Sequence, residues 1–331
     1  MTNNNSIEVG VAGLGYMGCS IAAAFLIWGY KVVGLAGLES DLGVAPGRIR
    51  HILEEAMKRG IHHQNVESLL SGISFTKNHS DLKSCFLISE NVLENLEVKR
   101  EQLALIEASV SGETIITTNT SAIPITVLQA SLKNPGRFLG MHWAEPAFIS
   151  PYLEIICGPG TDPAVAESLY GLAASWGKEP TLLRKDIRGF ITNRLMYAMY
   201  REALYLVTNG YTGMEDIDRA CRNDAGRWMT FCGPFRFMDL TGFQAYYHVM
   251  KDLFPELTNQ PAVPPLMENI VKEGGNGIFN GRGFYNYTKE EAEAWSKAFE
   301  EFRYAVHDFS KNYPADLVQR RLEKNDLKRE G

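Results

Sequence analysis

A largely apolar stretch, GMHWAEPAFISPYLEII at residues 140–156, holds His142 and, twelve residues later, Glu154. A histidine titrates in the range where a substrate proton can be taken up and returned. A carboxylate on its far ring nitrogen fixes the tautomer and stabilises the imidazolium that forms. If they meet, the two are either a satisfied structural pair or a general base with the group that orients it. Glu145 sets a further carboxylate between them. What the remaining chain builds around this segment decides between the readings.

Residues 7–12, IEVGVA, form a short apolar run suited to a strand buried on both faces. Gly13-Leu14-Gly15-Tyr16-Met17-Gly18 follows, then the helical run CSIAAAFLIWG and a second strand, KVVGL, at 31–35. This is GxGxxG in the strand–turn–helix setting of a dinucleotide site. Its first glycine turns the chain tightly, its second admits a pyrophosphate close to the backbone, and its third lets helix and strand pack closely. Free N–H groups and the dipole at the helix start favour phosphate. Residues 13–18 are therefore the candidate cofactor-binding set. An acidic residue should end the second strand and hold the adenosine ribose, but Ala36-Gly37-Leu38-Glu39 stands there, and the next cation is Arg48. NAD is the expected cofactor. NADP stays open because Ala36 replaces the acid, and Glu39 reaches the ribose only if the loop folds back.

Strand and helix patterns then alternate. FLIS (86–89), TIITTNTS (114–121), LEIICG (153–158) and EPTLLRK (179–185) read as strands, while ENLEVKREQLALIEASV and PAVAESLYGLAASWG read as helices. The fold class is α/β, with a Rossmann-type, doubly wound, mostly parallel sheet whose ligands lie at the carboxyl ends of the strands. Asn119, Thr120 and Ser121 occupy such an end. From Gly189 the pattern turns helical. The expected division is an NAD(P)-binding domain over 1–187 and an all-helical substrate and dimerisation domain over 188–331, ending in a charged tail.

The 331 residues carry 45% hydrophobic and 22% charged side chains and a net charge of −6, with no basic stripe, which argues against a nucleic-acid partner. The five cysteines are widely spaced and include no CxxC pair, so reduced thiols are expected in place of disulfides or a metal site. Residues 9–30 lack charge and are long enough for a membrane span, yet four glycines fall within them where a strand turns into a helix. MTNNNSIE has no Lys or Arg, which disfavours a signal peptide. A soluble cytoplasmic protein with a small-molecule substrate and no membrane partner is expected.

GLGYMG, ENLEVKRE, NTSAI, GMHWAEP with Glu154, RGFITNRL, GPFRFMDLTG and GRGFYNY together resemble the 3-hydroxyacyl-CoA dehydrogenase superfamily, over about residues 7–287. That superfamily includes lambda-crystallin and L-gulonate 3-dehydrogenase-like proteins. The resemblance implies His142 as catalytic base, Glu154 as its acidic partner, and Ser121 and Asn193 as the groups holding the reacting oxygen. It implies Glu94 and Lys99 as cofactor-side residues, Asn119 near the nicotinamide, and a homodimer formed through the helical domain. Read without it, Ser121 is equally a helix cap, Asn193 a polar residue on an exposed helix face, and Glu94 and Lys99 solvated charges. The family's usual Asn after the histidine is Glu145 here, which points to a specialised substrate. Arg48, Arg50, Lys58 and Arg59 either face a CoA phosphate or are surface charges. Three functions follow as expectations: dehydrogenation of a 3-hydroxyacyl-CoA or related hydroxy acid, oxidation of an aldehyde through its hydrate, or non-catalytic dinucleotide binding of the crystallin kind.

Overall fold

A computed structural model describes residues 7–314 and 316–327, and the chain divides into two compact units, 1–194 and 195–331. The first opens with β1 (Glu8–Ala12), α1 (Tyr16–Ile27), β2 (Lys31–Leu35), α2 (Glu39–Lys58), α3 (Val66–Leu70) and β3 (Ile73–Thr76). It continues through β4 (Leu87–Glu90), α4 (Leu96–Ser109), β5 (Ile115–Thr118), α5 (Ile125–Gln129), β6 (Phe138–Trp143), β7 (Tyr152–Cys157), α6 (Pro163–Ser175) and β8 (Glu179–Leu183). The eight strands form one sheet in the order β3-β2-β1-β4-β5-β6-β7-β8. Every neighbouring pair is parallel except β6 and β7. The doubly wound, mostly parallel sheet expected from the strand–helix alternation is present, with β3 and β6 as additional strands.

The uncharged stretch after the glycine turn is the helix α1, whose residues Gly18 to Leu26 are all buried. Packed against β1, β2 and α2, it has no solvent-facing side to make polar. Among the described residues no helix is long and apolar enough to cross a membrane. Gly13 takes φ +89°, a left-handed conformation open to glycine at little cost, and a Cβ on Gly18 would fall 1.9 Å from the Gly13 carbonyl oxygen. These two glycines let α1 start directly over the end of β1.

The antiparallel pair is the feature that matters most for the site. Its register sets His142 directly opposite Glu154. Directly opposed residues on one sheet face bring their side chains within reach of each other. The connection between the strands, 144–151, is anchored from two sides. Ser20 Oγ accepts the Ala147 N–H at 3.0 Å, and the ammonium of Lys178 donates to the carbonyls of Ala147 and Ser150. Lys178 is 6% exposed, and its Nζ lies 5.5 Å from the Trp28 ring and 5.2 Å from that of Trp143. Burial pulls its pKa down to about 7, while the two carbonyls and the indole faces favour the charged form.

The second unit is helical, as expected. Beyond α7 (Thr192–Thr208), which crosses the boundary, it holds α8 (Met214–Asn223), α9 (Ala225–Met229), α10 (Pro234–Thr241), α11 (Phe243–Leu253), α12 (Pro265–Lys272), α13 (Lys289–Ser310) and α14 (Leu317–Leu327). A capping box between Thr288 and Glu291 starts α13. Among its described residues only Tyr304 is buried, and large apolar side chains such as Phe235, Phe243, Tyr247 and Phe302 are more than half exposed.

Replacing Lys178 by Met is expected to strand the carbonyls of Ala147 and Ser150 and to destabilise the first unit by ~2 kcal/mol. A thermal melt of the variant beside the parent protein checks this.

Candidate active site

His142 and Glu154 meet. His142 Nδ1 is 2.9 Å from Glu154 Oε2, and on the other side of the ring Nε2 is 3.1 Å from Ser121 Oγ. With Nδ1 bonded to the carboxylate, the neutral ring carries its hydrogen on Nδ1 and directs the Nε2 lone pair towards Ser121. The His142 side chain is 12% exposed and that of Glu154 only 1%. A carboxylate so buried needs donors, and the fold supplies five. Oε1 accepts the N–H groups of Ile191 and Thr192, each at 3.0 Å, and the Thr192 hydroxyl at 3.4 Å. Oε2 accepts His142 and the Tyr152 hydroxyl. Burial alone would raise the pKa of Glu154, but the hydrogen bonds, that of His142 foremost, bring it below the usual value.

The two amides point at Glu154 because the chain turns sharply just before them. Gly189 has φ +85° and Phe190 φ +52°, the latter a left-handed conformation that costs a non-glycine residue energy. Phe190 is 1% exposed, with its ring 5.6 Å from that of His142, so packing holds the strained turn in place.

Ser121 is fixed just as firmly. Glu94 Oε1 accepts the Thr120 hydroxyl at 2.5 Å and the N–H groups of Ser121 and Ala122, each at 3.0 Å. Asn193 Nδ2 donates to the Ser121 carbonyl at 3.0 Å. Burial raises the Glu94 pKa, and these donors with Lys99 outweigh it, leaving the carboxyl below its usual value. Lys99 is 1% exposed and binds both Glu90 oxygens, at 2.9 and 3.1 Å, the Val92 carbonyl, and Glu94 Oε2 at 3.5 Å. Asn119 Oδ1 accepts the Trp143 N–H at 3.0 Å, joining the end of β5 to the residue beside the histidine. Sequence reasoning thus placed His142, Glu154, Ser121, Asn193, Glu94, Lys99 and Asn119 in what is one connected network. It missed Tyr152, Thr192, Phe190 and Glu90. Tyr152 lies two residues before Glu154, hence on the same face of β7, so strand periodicity alone pointed to it.

The residues 13–18 fit a dinucleotide. No side chain caps α1 and its first turn holds no acid, so its leading N–H groups face outward for phosphate, while the space where a Gly15 Cβ would sit is open. Ala36, at the end of β2, is buried, and Glu39 begins α2 with its carboxylate 2.8 Å from Lys77 Nζ. The cations of the 48–60 segment are engaged locally: Arg48 with the Leu14 carbonyl at 3.4 Å, Arg50 with Glu67, and Lys58 with Glu55. Glu145 is half-buried in the connection between β6 and β7.

A doubly wound sheet with a phosphate-binding glycine turn and a histidine–carboxylate pair at the ends of adjacent strands defines a nucleotide-dependent dehydrogenase. The chain belongs to the 3-hydroxyacyl-CoA dehydrogenase family: that family's NAD binding domain matches residues 8–187 and its C-terminal domain residues 189–287. NAD is its cofactor, and it is an oxidoreductase. It is 32% identical, over 87% of its length and 93% of the relative's, to 5-formyl-3-hydroxy-2-methylpyridine 4-carboxylate 5-dehydrogenase of Mesorhizobium japonicum. Identity to the 3-hydroxybutyryl-CoA dehydrogenase of Bradyrhizobium diazoefficiens is 31%, over 85% of this chain and 95% of that one. Among solved structures, a 5-formyl-3-hydroxy-2-methylpyridine 4-carboxylic acid 5-dehydrogenase, described as an NAD+-dependent dismutase, superposes with TM-score 0.85 at 31% identity, covering 93% of this chain and 99% of that one. The (S)-3-hydroxybutyryl-CoA dehydrogenase of Ralstonia eutropha gives TM-score 0.71 at 28% identity, covering 85% and 99%.

Two outcomes are expected from these contacts. Gly18→Ala forces its Cβ onto the Gly13 carbonyl and should weaken NADH binding at least tenfold in a fluorescence titration, since 1.4 kcal/mol is about a factor of ten. Because the folded pKa of Glu154 is depressed, its stabilisation is full above the reference value of 4.5 and is lost as pH falls through the lower folded value. Glu154→Gln should therefore melt lower at neutral pH, by ~1–3 kcal/mol in stability. Its melting temperature should also fall less steeply than the parent's on acidification below that value.

Proposed function

We propose that the protein oxidises a hydroxyl-bearing carbon of a small polar substrate with NAD, His142 removing the hydroxyl proton. The observation that carries this reading is the state of His142: Nδ1 occupied by Glu154 and Nε2 facing Ser121 Oγ at 3.1 Å. A substrate hydroxyl hydrogen-bonded to both Nε2 and Ser121 Oγ gives its proton to Nε2 as the C–H electron pair departs with the hydride and a carbonyl forms. Bound NAD would supply the hydride acceptor, with residues 13–18, Glu94 and Lys99 on the cofactor side and Asn119 near the nicotinamide. Glu154 stabilises the imidazolium and keeps the ring aligned. Ser121 holds the reacting oxygen, and Asn193, through the Ser121 carbonyl, helps keep it in place.

The substrate class is a 3-hydroxyacyl-CoA, a related 3-hydroxy acid, or a polar alcohol. A second reading, oxidation of an aldehyde through its hydrate, uses the same atoms, because a hydrate presents the hydroxyl and hydrogen that an alcohol does. The superposition at TM-score 0.85 on a pyridine-aldehyde dehydrogenase, against 0.71 for a 3-hydroxybutyryl-CoA enzyme, favours this reading.

The division of labour follows the sequence, with residues 1–187 binding the cofactor and 188–331 serving the substrate and pairing two copies. The apolar side chains exposed on the helical unit support a homodimer. Three buried, unpaired cysteines, Cys19, Cys85 and Cys157, support work in a reducing cytoplasm.

Purified protein with NAD should be assayed against 3-hydroxybutyryl-CoA and against a hydroxypyridine carboxaldehyde, following absorbance of the reduced cofactor. Turnover of either is expected to fall at least 10²-fold in His142→Ala, with NADH affinity retained. A His142→Ala variant as active as the parent would sink the reading in favour of a non-catalytic nucleotide-binding protein.

A further inference from the structure

We propose that Tyr152 is a positioning residue for the base: its hydroxyl shares Glu154 Oε2 with the His142 Nδ1–H and limits how tightly the carboxylate grips that proton. The inference deepens the dehydrogenase reading and rests on His142 being the base.

The geometry sets up a competition. Tyr152 Oη donates to Glu154 Oε2 and lies 2.9 Å from His142 Nδ1, itself 2.9 Å from the same Oε2. Oη, Oε2 and Nδ1 thus form a compact triangle. A phenol has one hydrogen, and here the carboxylate takes it. With that hydrogen along the Oη–Oε2 edge, Oη meets Nδ1–H only as a neutral acceptor, and a bond to a neutral phenol is weaker than one to the carboxylate. Tyr152 is therefore a poor acceptor for Nδ1–H, and its effect on His142 runs through Glu154. Two donors on one oxygen each draw on the same charge, so each bond is weaker than it would be alone.

The surroundings leave the competition intact. From β6 comes His142, from β7 Glu154 and Tyr152, and from beyond β5 the Ser121 hydroxyl. The 190–192 segment brings the Phe190 ring, two amides on the other oxygen, Oε1, and the Thr192 hydroxyl, which lies 3.4 Å from Oε1 and also bonds to Tyr152. Burial and the bond to Glu154 raise the phenol pKa, so the hydroxyl keeps its hydrogen throughout the working range. Its ring meets that of His142 edge-on, with centroids 5.7 Å apart and planes at 83°, which fixes Oη in the triangle. An acid–base group that serves both directions of a reaction must release its proton as well as take it. A buried carboxylate alone behind the ring would hold that proton too well; Tyr152 moderates it.

The test is Tyr152→Phe, which removes the hydroxyl and keeps the ring. In nitrogen-15-labelled protein, the His142 imidazole signals are those lost in His142→Gln. In Tyr152→Phe the Nδ1–H resonance is expected to move downfield, as the bond to Glu154 tightens. The acidic limb of the pH–rate profile should move to higher pH by about half a unit to one unit. Placed on a Glu154→Gln background, the same substitution should move neither readout, because no carboxylate remains to compete for. 3-Fluorotyrosine at position 152, a stronger donor, should shift the resonance upfield, and it decides the matter if the Phe variant fails to fold. An unmoved or upfield Nδ1–H in Tyr152→Phe, or an unmoved or downfield one with fluorotyrosine, overturns the proposal. The resonance needs no substrate, so absence of turnover would sink the dehydrogenase reading alone.

Discussion

A carboxylate with almost no access to water must find its hydrogen bonds inside the protein, and at Glu154 that requirement organises the site. One oxygen draws in the backbone of 191 and 192, the other draws in His142 and Tyr152. Removing a partner from such a group costs far more than the pair contributes net, because the charge left behind is unsolvated. The strained turn at Phe190 is consistent with this: a left-handed non-glycine residue persists where the surroundings over-determine it, and two amides on a buried anion do so.

A second carboxylate, partly open to solvent, does the same for Ser121. Glu94 collects the hydroxyl of Thr120 and the amides of 121 and 122 on one oxygen, while Lys99, shared with the buried carboxylate of Glu90, faces the other. The serine and the histidine are thus held by separate anions, Glu94 in the loop after β4 and Glu154 within β7. Their 3.1 Å approach is set by the sheet beneath them, which carries both at the ends of β5 and β6. Preorganisation of this kind is what an acid–base step requires, since little needs to move when the proton does.

Much of this was legible in the chain. The glycine turn between two apolar runs fixed the cofactor fold, because few other physical settings call for glycine at those three spacings. His142 and Glu154 were suspect for being ionisable in apolar company. Their direct opposition was not legible, since β6 was not read as a strand and an antiparallel pair breaks the parallel alternation around it. Lys99 and Glu94 read equally well as solvated charges, because helical spacing cannot tell a face towards water from one over a buried glutamate. Tyr152 shares a strand face with Glu154, but the expected strand began at Leu153 and left it outside. The exposed apolar surface of the helical unit follows from no local pattern, as its periodicity is that of any amphipathic helix.

Cross-strand pairing also separates two properties that most active sites entangle. His142 faces Glu154 because of ladder register, so the span from 144 to 151 between them carries no part of that alignment. It leaves the sheet, is tied down through Ala147 and Ser150 to Ser20 and Lys178, and re-enters. A descendant gene could lengthen, shorten or rewrite this span, Glu145 included, and pass on the histidine–carboxylate pair unaltered. Change in sequence and length can therefore concentrate in one short loop while the pair stays in the ladder.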